Sequence, residues 1–311
     1  MNHKMLALFG GVLALLLVAS MVGAVLARRV RTPGGEATVA NLNARIHAWW
    51  IMVAILAVAI AGGTTVTIVL FALISFYCLR EFLSITPTQP GDQRAIVAAF
   101  YLVIPWQYYL VASHWYGLFT ILIPVWAFLV LPVLSVLTGE TRDFLQRTAR
   151  IQWALMLTVY CISHAPALLV LEIPGFEGDR TLLLFFLIAV VQFSDVFQYV
   201  FGKLWGRRKV AERVSPSKTW EGLLGGGATA VGLGTALWWI TPFRPWQAAC
   251  MALAIVLAGF FGGLVLSAVK RSLGAKDWGT MIEGHGGALD RMDSVSFAAP
   301  VFFHLTRYFF T

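Results

Sequence analysis

The sequence predicts an all-α, polytopic integral membrane protein with about nine to ten transmembrane helices and no soluble domain. Hydrophobic residues make up 59% of the 311 residues and charged residues only 12%, about half the charged share of a soluble domain. Apolar runs of about 18 to 23 residues, the length that a helix needs to cross a bilayer, recur along the chain. A transmembrane β-barrel would instead show strands of about ten residues with alternating hydrophobicity.

The apolar runs place the spans in order along the chain. The first run is not expected to be a cleaved signal peptide, because it is long and Arg28 and Arg29 follow it at once. Only Gly62, Gly63 and two threonines separate the second span from the third, which predicts a tight helical hairpin. The predicted spans are 5–27, 48–62, 65–83, 95–112, 116–138, 151–173, 181–201, 222–241, 247–269 and 293–310.

Lysine and arginine fall in alternate loops, and such loops face the cytoplasm. The intervening loops are poor in both residues, so ten spans would leave both termini outside. The net charge of +8 therefore indicates topology signals and contact with anionic lipid, and no nucleic-acid partner is expected. The three cysteines lie in apolar runs without disulfide or metal-ligand spacing. The basic loops are 28–47, 80–94, 140–150, 202–221 and 270–291.

Asp195 is a carboxylate inside an otherwise apolar span. A charge near the centre of a membrane helix costs about 2.5–3.5 kcal/mol, so such residues usually have a function. Two structural explanations remain open: Asp195 lies close enough to the interface to be solvated, or it pairs with Lys203.

The loop at 202–221 ends in Ser215-Pro-Ser-Lys-Thr-Trp-Glu-Gly222, directly before a span. Small hydroxyls, one lysine and glycines at the start of a helix supply hydroxyl and N–H donors and a point charge for phosphate. The order of residues differs from a Walker loop. The basic residues Arg207–Lys209 are better explained by a topology anchor.

Between residues 267 and 294, a dense set of acids, bases and glycines joins two apolar segments. Asp290 and Asp293 are three residues apart, which on a helix puts both carboxylates on one face, about 5–6 Å apart at Cβ. With Asp277 from the preceding loop, these oxygen donors suit Mg²⁺, which leaves coordination positions for water and substrate phosphate. The alternative is a solvated loop with internal salt bridges.

The remaining polar residues of this stretch would contact phosphate. Glycines let the backbone approach a ligand closely, and basic side chains offset phosphate charge. His285 would bond a phosphate oxygen or orient a carboxylate, unless it is merely structural. The candidates are Lys270, Arg271, Lys276, His285, Gly286, Gly287 and Arg291.

These features together indicate phosphoryl or nucleotidyl transfer at the cytoplasmic membrane surface, with metal ions and lysines stabilising the charge on phosphorus. An ion-coupled transporter is a competing hypothesis. Such proteins place charges at the midplane of broken helices in paired repeats, whereas here the charges collect at one face.

The stretches Ser267–Asp293 and Ser215–Gly222, with Asp195, resemble the signature of the phosphatidate cytidylyltransferase (CDP-diacylglycerol synthase) family. The resemblance covers residues 190–311 well, and in the N-terminal half only Arg80-Glu-Phe82 stands at a matching place. It implies N-terminal scaffold helices over residues 1–180 and a catalytic region over residues 181–311. It also implies that CTP and phosphatidate react to give CDP-diacylglycerol and pyrophosphate, in a homodimer of the bacterial inner membrane.

By the same resemblance, Asp277, Asp290 and Asp293 would be ligands of Mg²⁺, with a second cation such as K⁺ as a further option. Lys218 and Asp195 would complete the catalytic set. Ser215, Thr219, Glu221 and the basic and glycine residues above would contact nucleotide or lipid phosphate.

Glu283, Ala288 and Gln198 depart from the family pattern. They suggest a divergent paralogue that acts on another lipid phosphate, and Glu283 would alter the loop or add a ligand. A CTP-dependent kinase acting on a lipid alcohol is the remaining alternative with the same site chemistry.

Overall fold

The computed structural model describes residues 3–281 and 286–311, and almost all of the ordered backbone is helical. Eight helices in these two ranges are long and apolar enough to cross a membrane. The predicted all-α, polytopic architecture is therefore confirmed. The eight are α1 His3–Arg29, α2 Pro33–Ala61, α3 Thr64–Ser84, α4 Pro90–Ala112, α5 Tyr116–Val136, α6 Phe144–Val170, α7 Arg180–Trp205 and α9 Pro245–Ser272.

Two further helices correspond to predicted spans but are not among these eight. Helix α8 is a π-helical turn at Gly222–Gly226 continued by an α-helix at Gly227–Ala236, which is short for a bilayer. Helix α10, Ala288–Phe310, has 23 residues, but its first two turns carry two aspartates and an arginine. Both helices place polar residues at one end of the bundle.

The helices reach further than the apolar runs. Helix α2 begins at Pro33, where the fixed φ of proline suits the first helical position. The segment 28–47 is therefore mostly helical, and its prediction as a loop was wrong. The polar first turns of α2 extend this helix beyond the length that is needed to cross the hydrocarbon layer.

A short hairpin replaces the loop that was expected before α8. Strand β1, Lys209–Ala211, pairs antiparallel with strand β2, Ser215–Thr219. At the other predicted turn, α2 ends at Ala61 and α3 begins at Thr64, so the tight helical hairpin is confirmed. Gly63 between them has φ +92°, a conformation that glycine adopts without steric cost.

Helices α7, α8, α9 and α10 pack closely because small residues lie where they cross. A Cβ at Gly262 of α9 would stand 2.6 Å from Phe297 of α10, and one at Gly222 would stand 2.7 Å from the carbonyl oxygen of Gln198. Small residues at crossings let helix backbones approach in membrane proteins. The polar ends of these helices are thereby held next to one another.

A buried ion pair joins α6 to the first turn of α4. The Arg147 Nε lies 3.1 Å from Asp92 Oδ1, and both side chains are 2% exposed. Arg147 also donates to Gln89 Oε1 at 2.7 Å and to the carbonyl oxygen of Glu140 at 3.1 Å. This arginine therefore connects three separate segments of one face of the bundle.

We expect Arg147→Met to destabilise the protein by about 3–5 kcal/mol, because it leaves Asp92 buried without its partner. Thermal unfolding in detergent measures the loss. Arg142→Met is the matched control: its pair with Asp143 is exposed and 3.8 Å long, so a change within about 0.5 kcal/mol is expected. Equal effects of the two substitutions would contradict the role given to the buried pair.

Candidate active site

A cleft of about 220 Å³ opens between α7, β2, α9 and the first turns of α10. We call it the main cleft. It gathers acids, amides, hydroxyls and two basic side chains at the polar ends of the closely packed helices. Its lining residues are Gln192, Asp195, Gln198, Tyr199, Ser217, Lys218, Thr219, Gly222, Leu223, Phe260, Asp290, Arg291, Asp293 and Ser294.

Two carboxylates meet in the main cleft across one hydroxyl. Ser294 Oγ lies 3.2 Å from Asp195 Oδ1 and 3.5 Å from Asp293 Oδ1. Since the hydroxyl has one hydrogen, it can serve only one carboxylate at a time. The Ser294 backbone N–H donates to Asp293 Oδ1 at 2.7 Å. The pair retains free oxygen lone pairs that face the cleft.

Lys218 brings a positive charge to this acidic pair. Its Nζ donates to the carbonyl oxygen of Phe260 at 2.9 Å and lies 4.7 Å from the centre of the Phe260 ring. Gly263 makes room for it, because a Cβ there would lie 2.6 Å from Nζ. Burial lowers the pKa of Lys218 below its usual range, and the charges of Asp195 and Asp293 oppose this change.

Asp290 has both carboxylate oxygens engaged by the protein itself. Oδ1 lies 2.6 Å from Lys270 Nζ, and Oδ2 accepts the backbone N–H groups of Trp278 and Gly287, each at 2.8 Å. Gly286 has φ +80°, and a Cβ there would stand 2.6 Å from Oδ2. Asp290 therefore ties the preceding loop and the end of α9 to the start of α10.

Glu81 of α3 reaches the same helix from the N-terminal half. Its two carboxylate oxygens accept the backbone N–H groups of Ala288 and Leu289 at 2.9 and 2.8 Å. A carboxylate here satisfies two unpaired N–H groups and complements the helix dipole. A Cβ at Gly279 would lie 2.8 Å from Glu81, so glycine is needed there. Before the structure, Glu81 was notable only for its place in the family resemblance, and nothing indicated this contact.

The structure brings six of the predicted site residues together and leaves others apart. The residues that line the main cleft are Asp195, Lys218, Thr219, Asp290, Arg291 and Asp293. Asp277, Arg271 and Lys276 are exposed and do not line it. Lys270 acts through Asp290, while Gly286 and Gly287 form the turn before α10. His285 and Glu283 lie outside the described residues.

Three predicted phosphate contacts have structural roles in the hairpin. Thr219 is buried, and its Oγ1 accepts the N–H of Gly222 at 3.0 Å, at the start of α8. Ser215 is buried, and its Oγ lies 3.5 Å from Ser217 Oγ. Glu221 accepts backbone N–H groups outside the main cleft. The lining hydroxyl groups that were not among the predicted site residues are those of Tyr199, Ser217 and Ser294.

The metal prediction is not tested by these positions. Within 3–281 and 286–311, no group of three or more histidine, cysteine, aspartate or glutamate side chains is placed to hold a metal ion. The carboxylates that do adjoin are Asp195 and Asp293, a combination that the sequence did not suggest. Arg291 offers a further unsatisfied group, since its buried Nε has no hydrogen-bond partner in the same ranges.

Comparison with known sequences agrees with the motifs that build this cleft. The profile of the cytidylyltransferase family matches residues 43–309, most of the chain. The chain belongs to the cytidylyltransferase family. It is therefore a nucleotidyltransferase, and the resemblance noted from residues 190–311 extends well into the N-terminal half.

The length of the matched segment differs between the relatives of this chain. The uncharacterized protein YnbB of Escherichia coli is 39% identical over 300 residues, 95% of this chain and 96% of the relative. The phosphatidate cytidylyltransferase of Brucella abortus is 42% identical over 120 residues, 38% of this chain and 44% of the relative. That of Mycobacterium leprae is 45% identical over 112 residues, 35% of each chain. The matched segments thus cover less than half of the two enzymes.

We expect Glu81→Ala to destabilise the start of α10, because two helix N–H groups lose a charged acceptor worth about 1.5–3 kcal/mol. Thermal unfolding and the rate of proteolysis within residues 273–287 measure the effect. Glu36→Ala is the control, since Glu36 is exposed in the first turn of α2. Unchanged proteolysis of Glu81→Ala would show that the cap does not hold the loop.

Proposed function

We propose that this protein transfers the cytidylyl group of CTP to phosphatidate, giving CDP-diacylglycerol and pyrophosphate. The observation that carries the proposal is that Lys218, Asp195 and Asp293 line the same cleft, on the segments that bear the family signature. The family membership and the names of the Brucella and Mycobacterium relatives support it. The alternation of basic loops supports an inner-membrane enzyme whose cleft faces the cytoplasm.

The reaction needs charge stabilisation more than proton transfer. A phosphatidate oxygen, already ionised, attacks the α-phosphorus of CTP in line; the new O–P bond forms as the bond between the α- and β-phosphates breaks. Pyrophosphate leaves with the electron pair. Lys218 offsets the charge on the transferring group, and Arg291, with its unsatisfied Nε, binds a phosphate oxygen. Positioning and electrostatics supply most catalysis in such transfers.

The donor set of the main cleft fits Mg²⁺. Asp195 and Asp293 present hard oxygen atoms with free lone pairs beside the space for phosphate, and Mg²⁺ favours one or two carboxylates. Asp293 would hold the ion with Asp195, while Asp290 is committed to Lys270 and Asp277 is exposed. When bound, the metal would neutralise phosphate charge. A second cation and a homodimer stay predictions of the resemblance.

A different lipid phosphate remains the second candidate substrate. The reason is the pattern of identity: the match to YnbB runs along nearly the whole chain, whereas the matches to named phosphatidate cytidylyltransferases cover 38% and 35% of it. The parts of the chain outside these shorter matches are free to contact a different lipid. A CTP-dependent kinase would share the site but release CDP.

Purified protein in detergent tests the proposal directly. With CTP, Mg²⁺ and a panel of lipid phosphates and lipid alcohols, we expect pyrophosphate release and a cytidylylated lipid by mass spectrometry, most with phosphatidate. Release of CDP would identify a kinase. Absence of any cytidylylated lipid from active, folded protein would reject the proposal.

We expect Asp293→Asn to lower the rate by at least about 100-fold, since a carboxylate that would hold the metal ion beside the transferring phosphate is lost, with little change in thermal stability. Asp290→Asn should lower stability by about 3–5 kcal/mol, because it leaves Lys270 buried without its partner. Asp143→Asn, an exposed aspartate, is the control. An Asp290→Asn protein that is fully stable yet inactive would instead make Asp290 a ligand of the reacting groups.

The lowered pKa of Lys218 predicts a loss of activity at alkaline pH. Activity needs the charged amine, and burial favours the neutral form, so the rate should fall as pH rises through a pKa below that of an ordinary lysine. Lys218→Arg keeps its charge at every accessible pH, so its residual activity should lack this alkaline limb. An unchanged limb in that variant would assign the titration to another group.

A further inference from the structure

A second cleft, of about 510 Å³, lies between the end of α7 and the hairpin. It shares no lining residue with the main cleft, but Glu221, which lines it, directly precedes Gly222, which lines the main cleft. We call it the arginine cleft. It is lined by Leu204, Trp205, Gly206, Arg207, Arg208 and Glu221.

Glu221 holds the backbone of both arginines. Its Oε2 accepts the N–H of Arg207 at 3.0 Å and that of Arg208 at 3.1 Å. These hydrogen bonds lower the pKa of Glu221, and the one from Arg207 has the largest effect. Glu221 therefore stays ionised. The carbonyl oxygen of Arg208 accepts the N–H of Trp220 at 3.0 Å. The arginine backbone is thus fixed on both sides.

The guanidinium groups themselves are left free for a ligand. Both arginines are exposed, and no carboxylate oxygen of the described residues lies within 4 Å of either guanidinium. Neither arginine lines the main cleft. Arginine suits phosphate because its planar donors bind two oxygens at once.

The other wall of the cleft is apolar and belongs to a membrane helix. Leu204 is 64% and Trp205 58% exposed at the last turn of α7. Exposed tryptophan at the end of a spanning helix is typical of the headgroup level of a bilayer. A ligand held here would contact arginine on one side and membrane-level apolar surface on the other, which fits a lipid better than a free nucleotide.

We propose that Arg207 and Arg208 bind the phosphate headgroup of an anionic membrane lipid beside the main cleft, with Glu221 as their positioning residue. Its use as the entry point of the lipid substrate rests on the proposed function; the binding itself does not. The predicted contact of Glu221 with substrate thereby becomes an indirect one, through the two arginines.

Lipid retention tests the binding without any need for activity. The protein is exchanged into detergent with equal phosphatidate and phosphatidylcholine, and bound lipid is counted by native mass spectrometry. We expect preferential phosphatidate binding that falls about tenfold in Arg207→Ala/Arg208→Ala. Lys209→Ala/Arg213→Ala is the matched control: it removes the same charge from exposed positions of the hairpin outside the cleft.

Glu221 variants test positioning. Glu221→Ala should lose phosphatidate retention like the arginine pair, and Glu221→Gln, which keeps an acceptor oxygen, should restore most of it at unchanged melting temperature. An equal loss of phosphatidate retention in the arginine and control double variants would show that net charge alone causes the effect. That result would overturn the proposal. Displacement of the retained lipid by CTP alone would overturn it too, by making the cleft a nucleotide site.

Kinetics then separates this proposal from the proposed function. In an active protein, the double substitution Arg207→Ala/Arg208→Ala should raise the KM for lipid about tenfold. The KM for CTP and kcat should stay unchanged. A raised KM for CTP instead would contradict a lipid site. If no lipid is cytidylylated by any variant, the proposed function fails while the retention experiment still decides on the headgroup site.

Discussion

The buried contact between Asp290 and Lys270 is the constraint on which the candidate site depends. One carboxylate joins the last turn of α9, the backbone at Trp278 and Gly287, and the first turn of α10. Glu81 completes the arrangement from α3. Asp293, one turn further along α10, is directed to Asp195 because this start is fixed. The signature thus includes charges with a structural role.

The rest of the bundle explains why charge can be concentrated here. Small residues let α7 to α10 approach, so that Asp195 from the interior of one helix adjoins Asp293 at the start of another. Lys218 enters over Gly263 from the hairpin and offsets part of their charge. A phosphate-bearing substrate would add further negative charge to this site. A divalent cation and Arg291 would offset that charge.

Hydropathy and loop charge predicted the helices, their order and the end of the bundle that carries the site, because bilayer thickness imposes one length on every span. Asp195, Lys218 and Asp293 were also predicted as site residues, and the structure places all three in the lining of one cleft. The position of the Ser294 hydroxyl between the two aspartates was not predicted, and neither was the cap from Glu81, which lies 207 residues away from Ala288 in sequence. Local spacing suggested that Asp290 and Asp293 act alike, whereas tertiary contacts give them different surroundings. The hairpin escaped notice because its strands are only three and five residues long.

The proposed reaction moves the α-phosphorus of CTP onto a lipid phosphate in the main cleft. The most direct measurement follows the label from CTP carrying radioactive phosphorus at either the α or the γ position. We expect α-label to enter the organic-soluble lipid product, γ-label to leave as pyrophosphate, and Asp293→Asn to abolish the transfer. Entry of γ-label into the lipid would contradict it.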